Sequence, residues 1–278
     1  MNKTKKFIVS VILLVFLFNL TSCKDTNAPV KKDILQTAVN ASNENDWKPL
    51  FNGKDLTGFT MKIKGYPLGE NFGNTFRVQD GILQVRYDGY GPDLKGRFGT
   101  LYIDKELRDY RLKVEYRFVG ETAPGAPEWG YRDSGIQFHG QPPATQKLDQ
   151  AFPMCLEYNF HGGNGTNDRP LGAACGYGIF FEIDNDKNKT TCVPATVPKT
   201  FHGDQWVTAE LDIKDGKITH FVNGEEILSY TNPTYDPDHK TAQQFIVNGT
   251  TQVQGGYVSF QSNSHPIDFR KIELLAYK

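Results

Sequence analysis

Beyond residue 75 the chain alternates apolar and polar side chains with a period of two along most of its length. Phe76-Arg77-Val78 runs into Gln79-Asp80-Gly81, and Ile82-Leu83-Gln84-Val85-Arg86-Tyr87 resumes the alternation, which predicts a hairpin closed by an Asp-Gly turn. Tyr110 to Phe118 alternates over nine positions, as a strand with one face in a core does. Val207 to Ile213 alternates in a similar way, Asp215-Gly216 turns it back into Lys217 to Val222, and Asn223-Gly224 gives a second strong turn before Glu225 to Tyr230. Gly256 to Gln261 and Asp268 to Tyr277 complete it, and no stretch after the first 23 residues sustains a helical apolar period. Many short strands with Asp-Gly and Asn-Gly turns predict an all-β sandwich or jelly roll. Two segments break the rhythm: Gly120 to Tyr131, with prolines, glycines and Trp129, and the glycine-rich run from His161 to Gly178, with Asp168. Long loops on a rigid β scaffold are where ligand groups sit, which makes Trp129 and Asp168 candidate contacts.

The same alternation sorts the polar residues. In Asp133-Ser134-Gly135-Ile136-Gln137-Phe138-His139, strand geometry puts Gln137 and His139 on one face and Ile136 and Phe138 on the other. In Cys155-Leu156-Glu157-Tyr158-Asn159-Phe160-His161, Glu157, Asn159 and His161 share a face. If both polar faces meet on one surface, Gln137, His139, Glu157, Asn159 and His161 converge there. Such a set can do acid–base work, bind a divalent metal, or hydrogen-bond sugar hydroxyls. A solvated sheet face would show the same periodicity. Gln261 to Arg270 reads as a strand, a polar turn and a return strand, placing His265 within reach of such a site; Arg270 suits a salt bridge at a strand edge.

The first residues change the picture of where the protein works. Met1 to Cys23 has a basic start at Lys3, Lys5 and Lys6, an apolar run from Phe7 to Leu20, and the ending Leu20-Thr21-Ser22-Cys23. The run is short for a membrane span, which needs about 20 apolar residues, and its flanks are those of a cleaved export signal. The ending resembles a bacterial lipobox, which implies lipidation at Cys23, a membrane anchor and a place in the cell envelope, periplasmic or surface-exposed. Lys24 to Asp46 is polar and without aromatics, a tether; Lys24-Asp25 resembles the sorting signal of surface-exposed Bacteroidetes lipoproteins. Residues 47 to 278 have the length of one large β domain.

A net charge of −1 with interspersed signs gives no support to nucleic-acid binding. Aromatics at 13% suit a sugar-binding surface, although most such residues belong to a core. Of the four cysteines, Cys23 goes to the lipid, Cys175 and Cys192 are the preferred disulfide in an oxidising compartment, and Cys155 reads as a buried thiol. The chain lacks CxxC spacing, a P-loop, a dinucleotide-binding glycine pattern, GxSxG and HExxH.

Several phrases resemble one known family. Trp47-Lys48-Pro49-Leu50-Phe51-Asn52-Gly53-Lys54-Asp55-Leu56-Thr57-Gly58-Phe59 is similar to the opening of the 3-keto-disaccharide hydrolase domain family. Phe76 to Leu83 resembles its W-x-V-x-D-G-x-L, with Phe76 for Trp; Ser134-Gly135-Ile136 resembles N-S-G-I, with Asp133 for Asn; Leu156 to Asn159 resembles x-E-x-Q, with Asn159 for Gln. Gln205-Trp206, Val222-Asn223-Gly224 and Asp268 to Ile272 follow in the family's order. The resemblance implies a concanavalin A-like jelly roll of two antiparallel sheets. It also implies cleavage of glycosides oxidised to a ketone at C3: the ketone acidifies the C2 proton, a base removes it, the C1 oxygen leaves by β-elimination, and water adds to the enone. On this resemblance Glu157 and His139 are the base and acid candidates, Gln137 and Asn159 orient hydroxyls, and His161 assists or ligates a divalent metal. Two other readings stand beside it. One is a surface lipoprotein that binds carbohydrate without catalysis; the other is a two-carboxylate hydrolase pairing Glu157 with Asp168 or Glu182.

Overall fold

The alternating stretches become strands. A computed structural model describes residues 46–188 and 190–277; the expected export signal, the Cys23 expected to carry lipid and nearly all of the expected tether lie outside the described residues. Among the described residues seventeen strands, numbered in chain order, form two sheets in which every paired strand is antiparallel. The larger sheet runs β11 (Asp186–Asn188), β10 (Ile179–Ile183), β15 (Glu225–Tyr235), β14 (Lys217–Val222), β13 (Val207–Lys214), β6 (Tyr110–Phe118), β17 (Ile267–Ala276), β4 (Ile82–Val85), β3 (Phe76–Gln79), with β1 (Lys48–Pro49) also on β17. The smaller runs β12 (Cys192–Val193), β9 (Ala174–Tyr177), β8 (Cys155–His161), β7 (Asp133–Gly140), β16 (Gly256–Ser262), β5 (Gly99–Leu107), β2 (Phe59–Ile63). The three predicted turns close hairpins β3–β4, β13–β14 and β14–β15. In Asp80-Gly81 and Asn223-Gly224 both residues have positive φ, the twist-matched hairpin geometry that Asx-Gly pairs accept at little cost.

Two strands carry no period-two signal. The first half of β5 is buried on both faces, so Thr100 to Ile103 shows no polar alternation to read. β9 is a four-residue element within the glycine-rich run, paired between β8 and the two-residue edge strand β12.

Between the sheets, the inward residues of β6 (Tyr110, Leu112, Val114, Tyr116, Phe118) meet those of β7 and β8 (Ile136, Phe138, Leu156, Tyr158, Phe160), all buried. Tyr116 stacks on Phe160, and Tyr158 stacks on His220, each at 4.1 Å and 3°. Aromatic pairs of this kind contribute about 0.5–1.5 kcal/mol beyond their burial. His220 donates from Nδ1 to the Gly172 carbonyl (3.0 Å), and its Nε2 accepts from the Tyr230 hydroxyl (2.9 Å). Burial pushes its pKa down to about 3, so it stays neutral and ties the loop before β9 to the larger sheet. On the outer face of that sheet Asp268 is held by Arg86 (2.5 Å) and Arg117 (3.0 Å), while Arg270 pairs with Glu115 and lies over Trp206, the structural role its sequence suggests. Cys175 and Cys192 are bridged between β9 and β12, and Cys155 is a buried free thiol.

Candidate functional site

The outer face of the smaller sheet is polar where its inner face is apolar. β7 and β8 pair with Gln137 opposite Glu157, Gly135 opposite Asn159 and Asp133 opposite His161. Ser259 lies beside Gln137 on β16, so the period of two puts Gln261 and then Asn263 on the same face. Gly135 is small for a reason. A Cβ there would sit 3.0 Å from both Cγ and Oε1 of Glu157, so the missing side chain makes the space into which Glu157 leans.

These side chains form one hydrogen-bonded chain. Gln261 Nε2 donates to Glu157 Oε2 (2.5 Å), and Asn159 Nδ2 donates to Oε1 (3.0 Å). Asn263 Nδ2 donates to Gln261 Oε1 (2.9 Å) and to Asp133 Oδ1 (2.6 Å). His161 Nε2 (2.9 Å) and Arg169 Nη2 (3.4 Å) reach the other Asp133 oxygen, and His161 Nδ1 donates to the Pro170 carbonyl (3.1 Å). Each donor fixes which way an amide points. The result leaves two buried acceptors, Asn159 Oδ1 and Asn263 Oδ1, without partners among the described residues. A buried acceptor left unmade is costly, so a ligand with hydroxyl donors is the natural complement.

Above this floor is a cavity of about 280 Å³. Glu157, Asn159, Gln261, Asn263, Asp133 and His161 give it polar groups, Ala173 and the Cys175–Cys192 bridge one wall, and Trp129, Phe152 and Tyr177 an aromatic one. Phe98 joins the aromatics, 5.3 Å from both Trp129 and Phe152, with Phe152 stacked toward Tyr177 at 6.3 Å. Apolar walls with a few fixed polar groups are the usual make-up of a small-molecule site. Burial drives the Glu157 pKa up to about 8; Asp133 adds to the rise, and the amides of Asn159 and Gln261 oppose it. Glu157 is therefore largely protonated at neutral pH, with the proton loosely enough held to be exchanged.

The structure brings together part of the set that the sequence offers. Glu157, Asn159, His161 and Trp129 line the cavity. Gln137 faces Glu157 across the strands but is fully buried, its Oε1 accepting from Ser259 (3.0 Å), and it does not line the cavity. His139 departs from expectation. Tyr257 pairs with Gly140 and Ser259 with Gln137, so Phe138 and His139 together oppose Val258 in a β-bulge, and His139 has φ of 50°. The extra residue breaks the alternation. His139 ends in a separate cavity of about 160 Å³ with Arg108, Asp109 and Asp215, where burial pushes its pKa down to about 4. His265 is also placed elsewhere, buried against Phe118 and Tyr131 with Nδ1 2.8 Å from the Thr122 hydroxyl. Asp168 is exposed, 3.6 Å from His202. Glu182 lies on β10 of the larger sheet, bonded to Asn232, so neither carboxylate proposed as a partner for Glu157 lines its cavity.

Asp133, Gln261 and Asn263 escaped the sequence reading as site residues. Their signal was present: Ser259, Gln261 and Asn263 repeat at the same spacing of two as Glu157, Asn159 and His161. Among the described residues no group of three or more His, Cys, Asp and Glu side chains is placed to hold a metal ion. The Glu157 and Asp133 oxygens are instead taken up by amide and cationic donors, which suits an organic ligand better than a divalent ion.

A family model described as a 3-keto-alpha-glucoside-1,2-lyase-like domain matches residues 46–275. No curated protein sequence matches the chain. Among solved structures, a provisionally named glycosyl hydrolase from Parabacteroides distasonis ATCC 8503 is 19% identical, covering 86% of this chain and 99% of its own, with a TM-score of 0.50. A second so named from the same organism is 17% identical over 83% of this chain and 99% of its own, with a TM-score of 0.47. A Bacillus subtilis protein with a galectin-like fold is 10% identical over 83% of this chain and 94% of its own, with a TM-score of 0.44. At 19% identity the first of these likenesses is one of fold alone, and the two antiparallel sheets are those of a concanavalin A-like sandwich.

Proposed function

The chain belongs to the 3-keto-alpha-glucoside-1,2-lyase-like domain family, and from that premise we propose that it cleaves glycosides carrying a ketone at C3 of the sugar. Carbohydrate activity is the coarse reading that the family and the fold support; the keto sugar and the elimination route are the finer one. The observation that carries the finer reading is Glu157, a carboxyl with a pKa of about 8, held between two amides on the floor of a ring-sized cavity. A general base works best when its pKa lies near the working pH.

In this mechanism ionised Glu157 removes the C2 proton, which the C3 ketone has made acidic. The C2–H electron pair becomes the C1–C2 double bond as the C1–O bond breaks, and the departing oxygen takes the proton, returned by Glu157. Water then adds to the enone in the reverse sense, and no oxidant or reductant is consumed. Negative charge gathers on the C3 oxygen, and Asn159 and Gln261 each keep one amide N–H beyond the one given to Glu157, the type of fixed dipole that stabilises an enolate. Asn159 Oδ1 and Asn263 Oδ1 accept from sugar hydroxyls. Asp133, the other carboxylate of the cavity, is committed to His161, Arg169 and Asn263 and acts as a positioning residue. The resemblance of the stretch ending at Cys23 to a lipobox supports a cell-envelope setting for this activity.

The test is sugar release by the purified chain from a 3-keto disaccharide and from its unoxidised parent. Release from the keto sugar alone supports elimination. Equal release from both points to ordinary hydrolysis, and binding of the sugars without release leaves the lectin-like reading.

A further inference from the structure

Trp129 belongs to two cavities. Its inner side helps wall the chamber over Glu157, and its outer side borders a more open cleft of about 710 Å³ lined by Glu128, Tyr131, Asn164 and Arg169. Trp129 is 48% exposed, although Phe98 packs on it at 5.3 Å. A half-exposed indole is an ordinary surface accident when its loop is free to move, but this loop is pinned at two points. Arg169 Nη2 donates to the Trp129 carbonyl (2.7 Å) and Nη1 to the Arg132 carbonyl (3.0 Å), binding the loop to the Asp133 corner of the site. Gly130 lies so close to the β16–β17 turn that a Cβ there would come within 2.8 Å of the Asn263 carbonyl oxygen. The indole is thus a fixed platform beside the mouth of the reactive chamber, and a fixed aromatic face spends little entropy in binding a flat ring.

The two volumes divide the ligand. The inner chamber, at about 280 Å³, falls just below the range of roughly 300–1,000 Å³ typical of drug-sized ligands and suits one sugar ring. The outer cleft has room for another ring and offers Asn164, Glu128 and Arg169 to its polar edge. Resting on the function proposed above, we propose that the outer cleft is the leaving-group subsite: the reacting ring sits over Glu157, and the group expelled from C1 is itself a ring that leaves across the exposed face of Trp129. A second sugar and an aryl group share the chemistry required, a flat face of low polarity.

The experiment compares kcat/KM of the full chain and W129A on three 3-keto glycosides that differ only in aglycone: methyl, 4-nitrophenyl and glucosyl. The subsite predicts that the preference for a ring-bearing aglycone over methyl falls about tenfold in W129A, as loss of a stacking platform does, and is largely restored in W129F. A fall confined to the nitrophenyl compound assigns the cleft to aromatic aglycones, and one confined to the glucosyl compound assigns it to sugars. An unchanged preference overturns the proposal, even where all three rates drop together. If the wild type cleaves none of the three, the keto-sugar reading fails on its own. Calorimetry then tests the cleft separately: tighter binding of an unoxidised disaccharide than of its monosaccharide, abolished in W129A, keeps the subsite, and equal binding removes it.

Discussion

Glu157 and His139 lie on adjacent strands of one sheet, both almost wholly buried, both displaced in pKa by burial, and both uncharged at neutral pH. They nevertheless belong to different worlds. Glu157 has two amide partners, a glycine that makes room for it and an aromatic-walled chamber above it. His139 sits past a bulge, with Nδ1 unpartnered among the described residues, in a small pocket where the turns after β5 and β13 meet. The same displacement from ordinary titration therefore marks a reactive group in one place and a packed one in the other. Partners and an accessible cavity tell the two apart, where pKa alone does not.

The largest expected effect breaks the comparison on activity. E157Q keeps the shape and one of the two amide contacts but lacks the base, and kcat/KM on a 3-keto disaccharide should fall about 10³-fold, within the range for general base removal. H139Q should stay within about threefold of the wild type, since positions outside the reacting groups rarely matter more. A thousandfold loss in H139Q would return His139 to the site. Next comes the wall. C192S removes the bridge to Cys175, 17 residues away in sequence, and should cost roughly 3 kcal/mol in denaturant unfolding.

The pH dependence of stability separates the same two residues with opposite signs. Glu157 binds its proton more tightly folded than unfolded, so its contribution is complete below the ordinary carboxyl value near 4.5 and is lost as pH rises through about 8. His139 is the reverse: its contribution is complete above the ordinary imidazole value near 6.5 and is lost as pH falls through about 4. E157Q should therefore flatten the alkaline fall in Tm, and H139Q should soften the acid fall, each by on the order of a few kcal/mol at the extremes. His220, neutral and buried like His139, also feeds the acid limb, so H139Q softens that limb without abolishing it.

The smallest effect concerns a residue that acts through others. D133N removes a negative charge that pushes the Glu157 pKa up and loosens the grip on Asn263. Its kcat/KM should drop about tenfold, the scale of a modest misplacement of reacting groups. The rising limb of kcat/KM with pH, centred near 8 in the wild type, should also move to lower pH. A drop with an unmoved limb would make Asp133 a packing residue only.

Most of the fold could be read because most strands have one wet face. β6 and β13 alternate cleanly, and the Asx-Gly turns that close β3–β4, β13–β14 and β14–β15 impose a hairpin geometry. β5 could not be read, since burial on both faces removes the polar half of the pattern. For the site, the alternation in β8 placed Glu157, Asn159 and His161 correctly on one face. It failed at His139 because a bulge is a property of the pairing with β16, and one strand's sequence does not carry it. Asp133, Gln261 and Asn263 were missed for a related reason: their importance lies in which neighbours they bond across strands, which becomes visible only when the register is known. The disulfide could be anticipated because 17 residues separate its ends across a short excursion from one sheet edge.

The central claim is that Glu157 moves a proton at C2, and cleavage in deuterium oxide tests it most directly. A 3-keto disaccharide is incubated with the wild type, with E157Q and with buffer alone, and the keto sugar is analysed by NMR at early time. Elimination followed by rehydration predicts deuterium at C2 of the released keto sugar, far above the buffer control and absent with E157Q. Release of keto sugar that retains its C2 proton would mean direct displacement at C1, and would contradict the account.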